Sequence, residues 1–267
     1  MCAAPTPGQD GRGRRPVAAL FVTCMVDLFR PVVGFASARL LERAGFAVEV
    51  PPQACCGQPA FNSGDDRRAR AVARRFLDAF AGYDHIVTPS GSCGGMVKTH
   101  MEELFADEPD TRARAAQVAS RTSELTSFLA ARAPGAIDAR HDGAATYHDS
   151  CSGLRELGVR DQPRALLARV EGLTLREYAG AQDCCGFGGT FCVKYSDIST
   201  RMCGARCDEI ERSRVDLLLG GDVSCLLNLG GLLARRGSPV EVRHVAEVLA
   251  GMTDEPPLGR APSPKKP

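Results

Sequence analysis

Apolar and polar positions follow two rhythms along this chain, and the rhythms take turns. Residues 17–22 (VAALFV) form a short unbroken apolar run, the pattern of a strand buried on both faces. The next apolar residues, Val33, Ala36, Leu40, Leu41 and Ala44, recur at helical spacing and stop at Gly45, which predicts a helix and then a short strand over 47–50. A second helix is expected over about 65–81 with Ala69, Val72, Ala73, Phe76 and Phe80 inward, followed by a strand over 85–88 that ends at Pro89. A long helix is expected from about 111 to 132, closed by Pro134-Gly135. The polar stretch 138–143 behind it reads as a domain boundary.

Beyond that boundary the same order returns. Strands are expected over 144–148, 173–175, 215–219 and 240–242, and helices over 163–170, from about 196, over 226–235 and over 244–250, the last opened by His244. Alternating strands and helices argue for βα units and a mostly parallel sheet. The cysteines repeat in register with the elements: Cys24 maps onto Cys151, Cys55-Cys56-Gly57 onto Cys184-Cys185-Gly186, and Cys93 onto Cys225, at offsets of 127, 129 and 132 residues. Four matched positions drifting by so little mark an internal duplication. The expected fold is therefore α/β, with two pseudo-symmetric Rossmann-like domains over 17–140 and 141–252, each a small, mostly parallel sheet flanked by helices. A mobile Arg/Gly/Pro-rich arm (1–16) precedes them and a disordered Pro/Lys tail (253–267) follows.

Composition narrows the function. Lys+Arg 33 against Asp+Glu 32 leaves a net charge of +1, spread along the chain, so nothing in the charge points to nucleic acid or an anionic membrane. No apolar run is long enough to span a bilayer and the first 16 residues lack a hydrophobic stretch, so no transmembrane segment is expected and a cytoplasmic location is. The 12 cysteines then need an explanation, since a cytosolic chain with an ample core has no use for a disulfide framework.

Cys24, Cys93 and Cys225 lie just beyond the C-terminal ends of expected strands, where an open parallel sheet forms its ligand crevice. Four thiolates converging there are a full ligand set for an iron-sulfur cluster or for tetrahedral zinc. Neighbouring cysteines on an extended strand point to opposite faces, so a Cys-Cys pair serves one site only where the chain turns sharply, and Gly57 and Gly186 supply the turn. Burial alone explains a single cysteine; it does not explain two quartets in register.

The wording around these residues resembles a known family. Each quartet is similar to the CCG cysteine-rich domain, found as a tandem pair in the B subunit of heterodisulfide reductase and in the iron-sulfur component of glycolate oxidase. Closer still is the L-lactate utilisation iron-sulfur A-subunit family, through FVTC at 21–24, CCGQPAFNSG at 55–64, GSC at 91–93, CCGFGGTF at 184–191, GDVSCLLN at 221–228 and HVAEVL at 244–249. The resemblance covers about residues 17–250. It implies an oxidoreductase component: an iron-sulfur electron-transfer subunit that works with a ferredoxin-type iron-sulfur partner and a third small subunit in oxidising L-lactate to pyruvate. Glycolate or another small 2-hydroxy acid is the alternative substrate of the complex, and a zinc-stabilised assembly scaffold is the alternative role. The implied cofactors are [4Fe-4S] clusters, one per domain, on Cys24, Cys55, Cys56 and Cys93 and on Cys151, Cys184, Cys185 and Cys225, with zinc in one site as the other option. One departure matters. The heterodisulfide reductase chain ends its motif Cys-x-x-Cys and holds a non-cubane cluster with five cysteines, whereas this chain has Ser90 and Asp222 at the first of those positions. Four thiols remain per site, enough for a cubane, and the two short polar residues read as helix N-caps, with an oxygen ligand as the other option.

Other residues carry less. His148, three residues before Cys151, is a candidate to donate to a cluster sulfur or shuttle a proton, and Lys98 and Lys194 are candidates to hold a carboxylate or balance cluster charge. Cys2, Cys192, Cys203 and Cys207 read as incidental. Gly186-Phe187-Gly188-Gly189 lacks the spacing of a nucleotide loop, and no G-x-S-x-G or H-E-x-x-H supports a hydrolase.

Overall fold

The structure, a computed structural model, describes residues 15–53 and 55–260. The first half runs β1 (Val17–Leu20), α1 (Cys24–Phe29), α2 (Pro31–Arg43), β2 (Ala47–Glu49), α3 (Gln58–Phe61), α4 (Asp66–Phe80), β3 (Ile86–Thr88) and α5 (Gly91–Gly95). From α5 it passes through a π-helical turn (Met96–His100) into α6 (Met101–Leu104), α7 (Pro109–Arg121), β4 (Thr122–Glu124) and α8 (Leu125–Arg132). The second half runs β5 (Arg140–His148), α9 (Cys151–Leu157), α10 (Asp161–Leu167), β6 (Glu171–Leu175), α11 (Phe191–Lys194) and α12 (Ser196–Arg212). It closes with β7 (Leu217–Gly220), α13 (Val223–Arg235), β8 (Glu241–His244) and α14 (Val245–Ala250). Each half is a four-stranded, all-parallel sheet, in the orders β2-β1-β3-β4 and β6-β5-β7-β8. The matching orders are the duplication made visible, and the α/β reading of the sequence holds.

Two elements differ from the sequence reading. The long helix expected over 111–132 is broken into α7 and α8 by the strand β4, which pairs in parallel with β3. Thr122 ends α7 by returning its hydroxyl to the Val118 carbonyl at 2.8 Å, and the buried Glu124 then caps α8 by accepting from the Ser127 N–H at 3.0 Å. Strand β5 also starts earlier than the expected 144, at Arg140 within the polar stretch 138–143, where Arg140 and Asp142 form a surface ion pair.

The two halves share one core. Helix α14 packs on α2 and α10 on α8, so the last helix of each half lies against the second helix of the other. Val33, Leu40, Leu125, Leu129, Leu166, Leu217, Val245 and Leu249 accordingly belong to a single buried cluster. Outer cores lie beneath α4 and α6 in the first half (Phe76, Phe80, Met101) and between α12 and α13 in the second (Ile210, Leu226, Leu229). A buried ion pair also ties the halves: Arg30 donates to both oxygens of Glu247, at 3.2 and 2.5 Å, and Glu247 is fully buried.

Residues 1–14 and 261–267, with Cys2, most of the expected arm and the end of the expected tail, lie outside the described residues. The described part of the tail does not behave as a disordered segment. Leu258 is buried and its N–H donates to the Val242 carbonyl at 2.8 Å, while the carbonyls of Glu255 and Pro256 accept from Arg243 and Arg30. No helix among the described residues is long and apolar enough to cross a membrane.

Candidate metal centres

In a sheet of order 2-1-3-4 the connections leave the first strand in opposite directions, so a crevice opens outside the carboxyl ends of the two central strands. The fold places cysteines there. Cys24 opens α1 after β1 and Cys93 sits in α5 after β3; Cys151 opens α9 after β5 and Cys225 sits in α13 after β7. The CC pairs reach the same places from the loops that follow β2 and β6. Gly57 (φ 93°) and Gly186 (φ 86°) sit in the left-handed region, and each turns its N–H back onto the first sulfur of its pair, Cys55 or Cys184, at 3.4 Å.

The first quartet is closely paired, with Cys24 Sγ 3.9 Å from Cys55 Sγ and Cys56 Sγ 3.4 Å from Cys93 Sγ. Burial repeats between the quartets: Cys24, Cys55, Cys151 and Cys184 are partly exposed, whereas Cys56, Cys93, Cys185 and Cys225 are buried. The proton distribution repeats as well. Hydrogen bonds from the Cys24 thiol and then from Cys56 pull Cys55 far below the ordinary thiol value, and Cys151 and Cys185 do the same to Cys184. Donating those bonds, together with burial, pushes Cys24 and Cys151 up. The sulfur whose pKa is lowered in each quartet is the one that also receives a glycine N–H.

Spacing and donor set bear differently on which group fits. Among the described residues, the set of three metal-ligating side chains whose ligand atoms lie mutually within 4.8 Å is His148, Cys185 and Cys225, so no three sulfurs of either quartet meet that limit. Tetrahedral zinc with bonds of about 2.3 Å needs every sulfur-sulfur edge near about 3.8 Å. The two pairs of the first quartet lie near that edge, whereas the four corners of a cubane hold their sulfurs wider apart, so iron-sulfur chemistry is favoured by the all-sulfur donor set and not by the spacing.

The other candidates from the sequence fall in different places. His148 is brought to the second quartet and is 1% exposed. Its Nδ1 lies 2.6 Å from the Tyr178 hydroxyl, and burial holds the ring neutral by pulling its pKa down to about 4. Lys98 is engaged elsewhere: its Nζ donates to the carbonyls of Ala119 and Thr122 at 3.1 and 3.0 Å, closing the end of α7, and desolvation lowers its pKa. Lys194 ends α11 with its side chain exposed. Cys203 and Cys207 are buried between α12 and α13, their thiols directed at the carbonyls of Asn228 and Leu229, and Cys192 points to the Gly189 carbonyl.

Several residues that shape the sites were not singled out from the sequence. Gln53 clamps the loop before the first CC pair, accepting from the Val22 N–H and donating to the Leu20 and Pro51 carbonyls. Asn228 steadies the second pair by donating to the Cys185 carbonyl at 2.8 Å. Ser90 and Asp222 do cap α5 and α13, and they also meet: Asp222 Oδ2 accepts from the Ser90 hydroxyl at 3.0 Å and from the Ser92 N–H at 2.9 Å. The helices bearing Cys93 and Cys225 are thereby joined cap to cap. Helix α5 also lies directly on α9, and a Cβ at Gly91 would fall 2.9 Å from the Gly153 Cα. A hollow of about 230 Å³ opens beside Cys24 and Cys55, walled by Val22, Val50, Pro51 and Gln53. A larger one of about 770 Å³, around Pro16, Tyr83 and His85, lies at the amino ends of the strands, away from the cysteines.

Comparison with known proteins adds the last observation. The cysteine-rich CCG domain family matches residues 18–98 and again 145–230. Curated relatives named lactate utilization protein A include one from Geobacillus kaustophilus, 47% identical over 233 residues that cover 86% of this chain and 97% of the relative. Another, from Bacillus cytotoxicus, is 45% identical over 232 residues, covering 86% and 97%. Lactate utilization protein A 2 of Bacillus cereus is 43% identical over 235 residues, covering 87% and 97%. Among solved structures, a hypothetical protein from Helicobacter pylori aligns with a TM-score of 0.59 at 10% identity, over 90% of this chain and 49% of that one, a likeness of fold.

Proposed function

This chain belongs to the CCG cysteine-rich domain family and to the group named lactate utilization protein A, and from that membership we propose that it is the iron-sulfur-binding electron-transfer subunit of a complex that oxidises L-lactate to pyruvate. The observation that carries the reading is the pair of registered sulfur quartets at the carboxyl ends of β1 and β3 and of β5 and β7. Cys24, Cys55, Cys56 and Cys93 hold one centre, and Cys151, Cys184, Cys185 and Cys225 hold the other. A [4Fe-4S] cluster bound at each would supply one-electron transfer.

Oxidation of L-lactate to pyruvate releases two electrons and two protons. A chain with two one-electron sites is suited to taking that pair one electron at a time and passing it to a ferredoxin-type partner, with a third small subunit completing the complex. The chain's own residues keep the sites apart from bulk water: Cys56, Cys93, Cys185 and Cys225 are buried, and the backbone N–H groups of Gly57, Gly186 and Phe187 point at sulfur, offsetting the negative charge that four thiolates bring. The partly exposed Cys24 and Cys55 line the 230 Å³ hollow together with the exposed Val50, and the helix that Cys24 opens carries the exposed Leu28 and Phe29, which supports docking of the electron-accepting partner on that side.

Replacing Cys185 with Ser tests the reading. The variant is expected to fold, to bind less iron and to lose lactate-dependent electron transfer in the reconstituted complex. Unchanged turnover would overturn the assignment.

A further inference from the structure

The two quartets are built alike, but the residue three places before the first cysteine of each differs. Three residues before Cys24 stands Phe21, fully buried against Phe76 and Phe80 with ring centroids at 4.9 and 5.7 Å, and it brings no polar atom to its site. Three residues before Cys151 stands His148, equally buried. Its Nδ1 meets the Tyr178 hydroxyl at 2.6 Å and the two rings stack, which fixes the imidazole in one orientation. Its Nε2 is buried and has no hydrogen-bond partner. A ligand atom of this imidazole lies within 4.8 Å of the sulfurs of both Cys185 and Cys225.

A buried ring nitrogen with no partner forfeits the hydrogen bond it had in water and is seldom left that way. Tyr178 occupies Nδ1, so the nitrogen left free for the sulfurs is Nε2. With the tyrosine hydroxyl donating to Nδ1, the neutral ring carries its proton on Nε2.

We propose that His148 donates a hydrogen bond from Nε2–H to the second centre at its Cys185–Cys225 edge, and thereby holds that centre at a higher reduction potential than the first, which has Phe21 at the matching place. The inference rests on the iron-sulfur reading above and deepens it. A centre that gains an electron gains negative charge, so a fixed donor at its sulfurs stabilises the reduced form more than the oxidised form. No bond to His148 forms or breaks in the step: one electron arrives and the proton stays on Nε2. The duplicated sites then differ in task, the first passing electrons on and the second retaining them, and His148 acts as a positioning and tuning residue.

The test is an EPR-monitored redox titration of the anaerobically purified full chain, with iron and acid-labile sulfide measured on every sample. The wild type is expected to show two separate midpoint potentials. His148→Phe, which copies the first site, is expected to lower the higher one toward the other and to leave the lower one in place, with iron and sulfide unchanged. His148→Gln, which keeps an N–H donor, is expected to retain most of the separation. Tyr178→Phe, which frees the tautomer, is expected to shrink it with His148 itself intact and guards against loss of the centre in the other two variants. Pulsed EPR of the wild type is expected to show a weak nitrogen coupling that His148→Phe removes. Unchanged potentials in variants that keep their iron would overturn the proposal, and so would a strong coupling from a nitrogen bound directly to iron. Wild-type protein without acid-labile sulfide would overturn the iron-sulfur reading itself, a separate and recognisable failure.

Discussion

Gly57 and Gly186 occupy equivalent places in the two CCG motifs, and the structure separates what an alanine would do at each. Both have positive φ, 93° and 86°, so a Cβ at either costs roughly 1–2 kcal/mol of backbone strain. Beyond that, the surroundings differ. At Gly57 the new Cβ would meet the Ala69 carbonyl oxygen at 3.5 Å and Val72 Cγ1 at 3.8 Å, both ordinary contacts. At Gly186 it would fall 2.7 Å from the Ser199 carbonyl oxygen and 3.2 Å from Met202 Cβ. The Ser199 oxygen is backbone inside α12 and cannot swing aside, so the loop carrying Cys184 and Cys185 must move off the helix, at a further cost of about 1–3 kcal/mol. Gly57→Ala is therefore expected to keep close to the full iron content, while Gly186→Ala loses most of the second centre, about half the iron if each site holds one cluster. The assay is iron and sulfide per chain after anaerobic reconstitution, alongside urea unfolding. Equal impairment of the two variants, or greater impairment in Gly57→Ala, would refute this difference.

Two further predictions concern the frame that holds the sites. Glu247→Ala leaves the buried Arg30 guanidinium without its carboxylate, with the Pro256 carbonyl still accepting from it, and removes the acceptor for the His244 N–H, so unfolding in urea should show a loss of about 3–5 kcal/mol; a double Arg30→Met, Glu247→Met variant should recover much of it. His244 supplies the pH dependence: burial lowers its pKa, and its Nδ1 must stay unprotonated to accept the Ala246 N–H that starts α14. The unfolded chain therefore binds this proton more readily, and the stability His244 contributes is present above the unfolded value of about 6.5 and is lost as pH falls from there toward the lower folded value. His244→Asn, which keeps a capping oxygen, is expected to flatten the decline in unfolding free energy between pH 7 and pH 5, and an unchanged slope would count against this account.

The sheets and the placing of cysteines beyond their carboxyl ends were legible in the sequence because their signals are local and occur twice. The elements that escaped it did so for reasons that can be named. Ala115, Val118, Ala119, Leu125, Phe128 and Leu129 keep one helical phase straight through β4, so the apolar rhythm hides a break imposed by pairing with β3. At the start of β5, the charges of Arg140 and Asp142 mask a strand whose early residues face solvent and pair with Glu171. Lys98 read as free charge because its partners, the Ala119 and Thr122 carbonyls, become acceptors only where α7 ends. Ser90 and Asp222 were recognisable as caps one at a time, but their contact depends on how the two halves dock. Tyr178 carried no signal at all until the fold set its hydroxyl against His148.

The most direct test of the central claim is the content of iron, zinc and acid-labile sulfide in the full chain after strictly anaerobic purification, with EPR of the reduced sample. Two four-iron centres predict about eight iron and about eight sulfide per chain, and two reduced-cluster signals. Zinc in place of iron, with no sulfide, would contradict the account and make the chain a metal-stabilised scaffold.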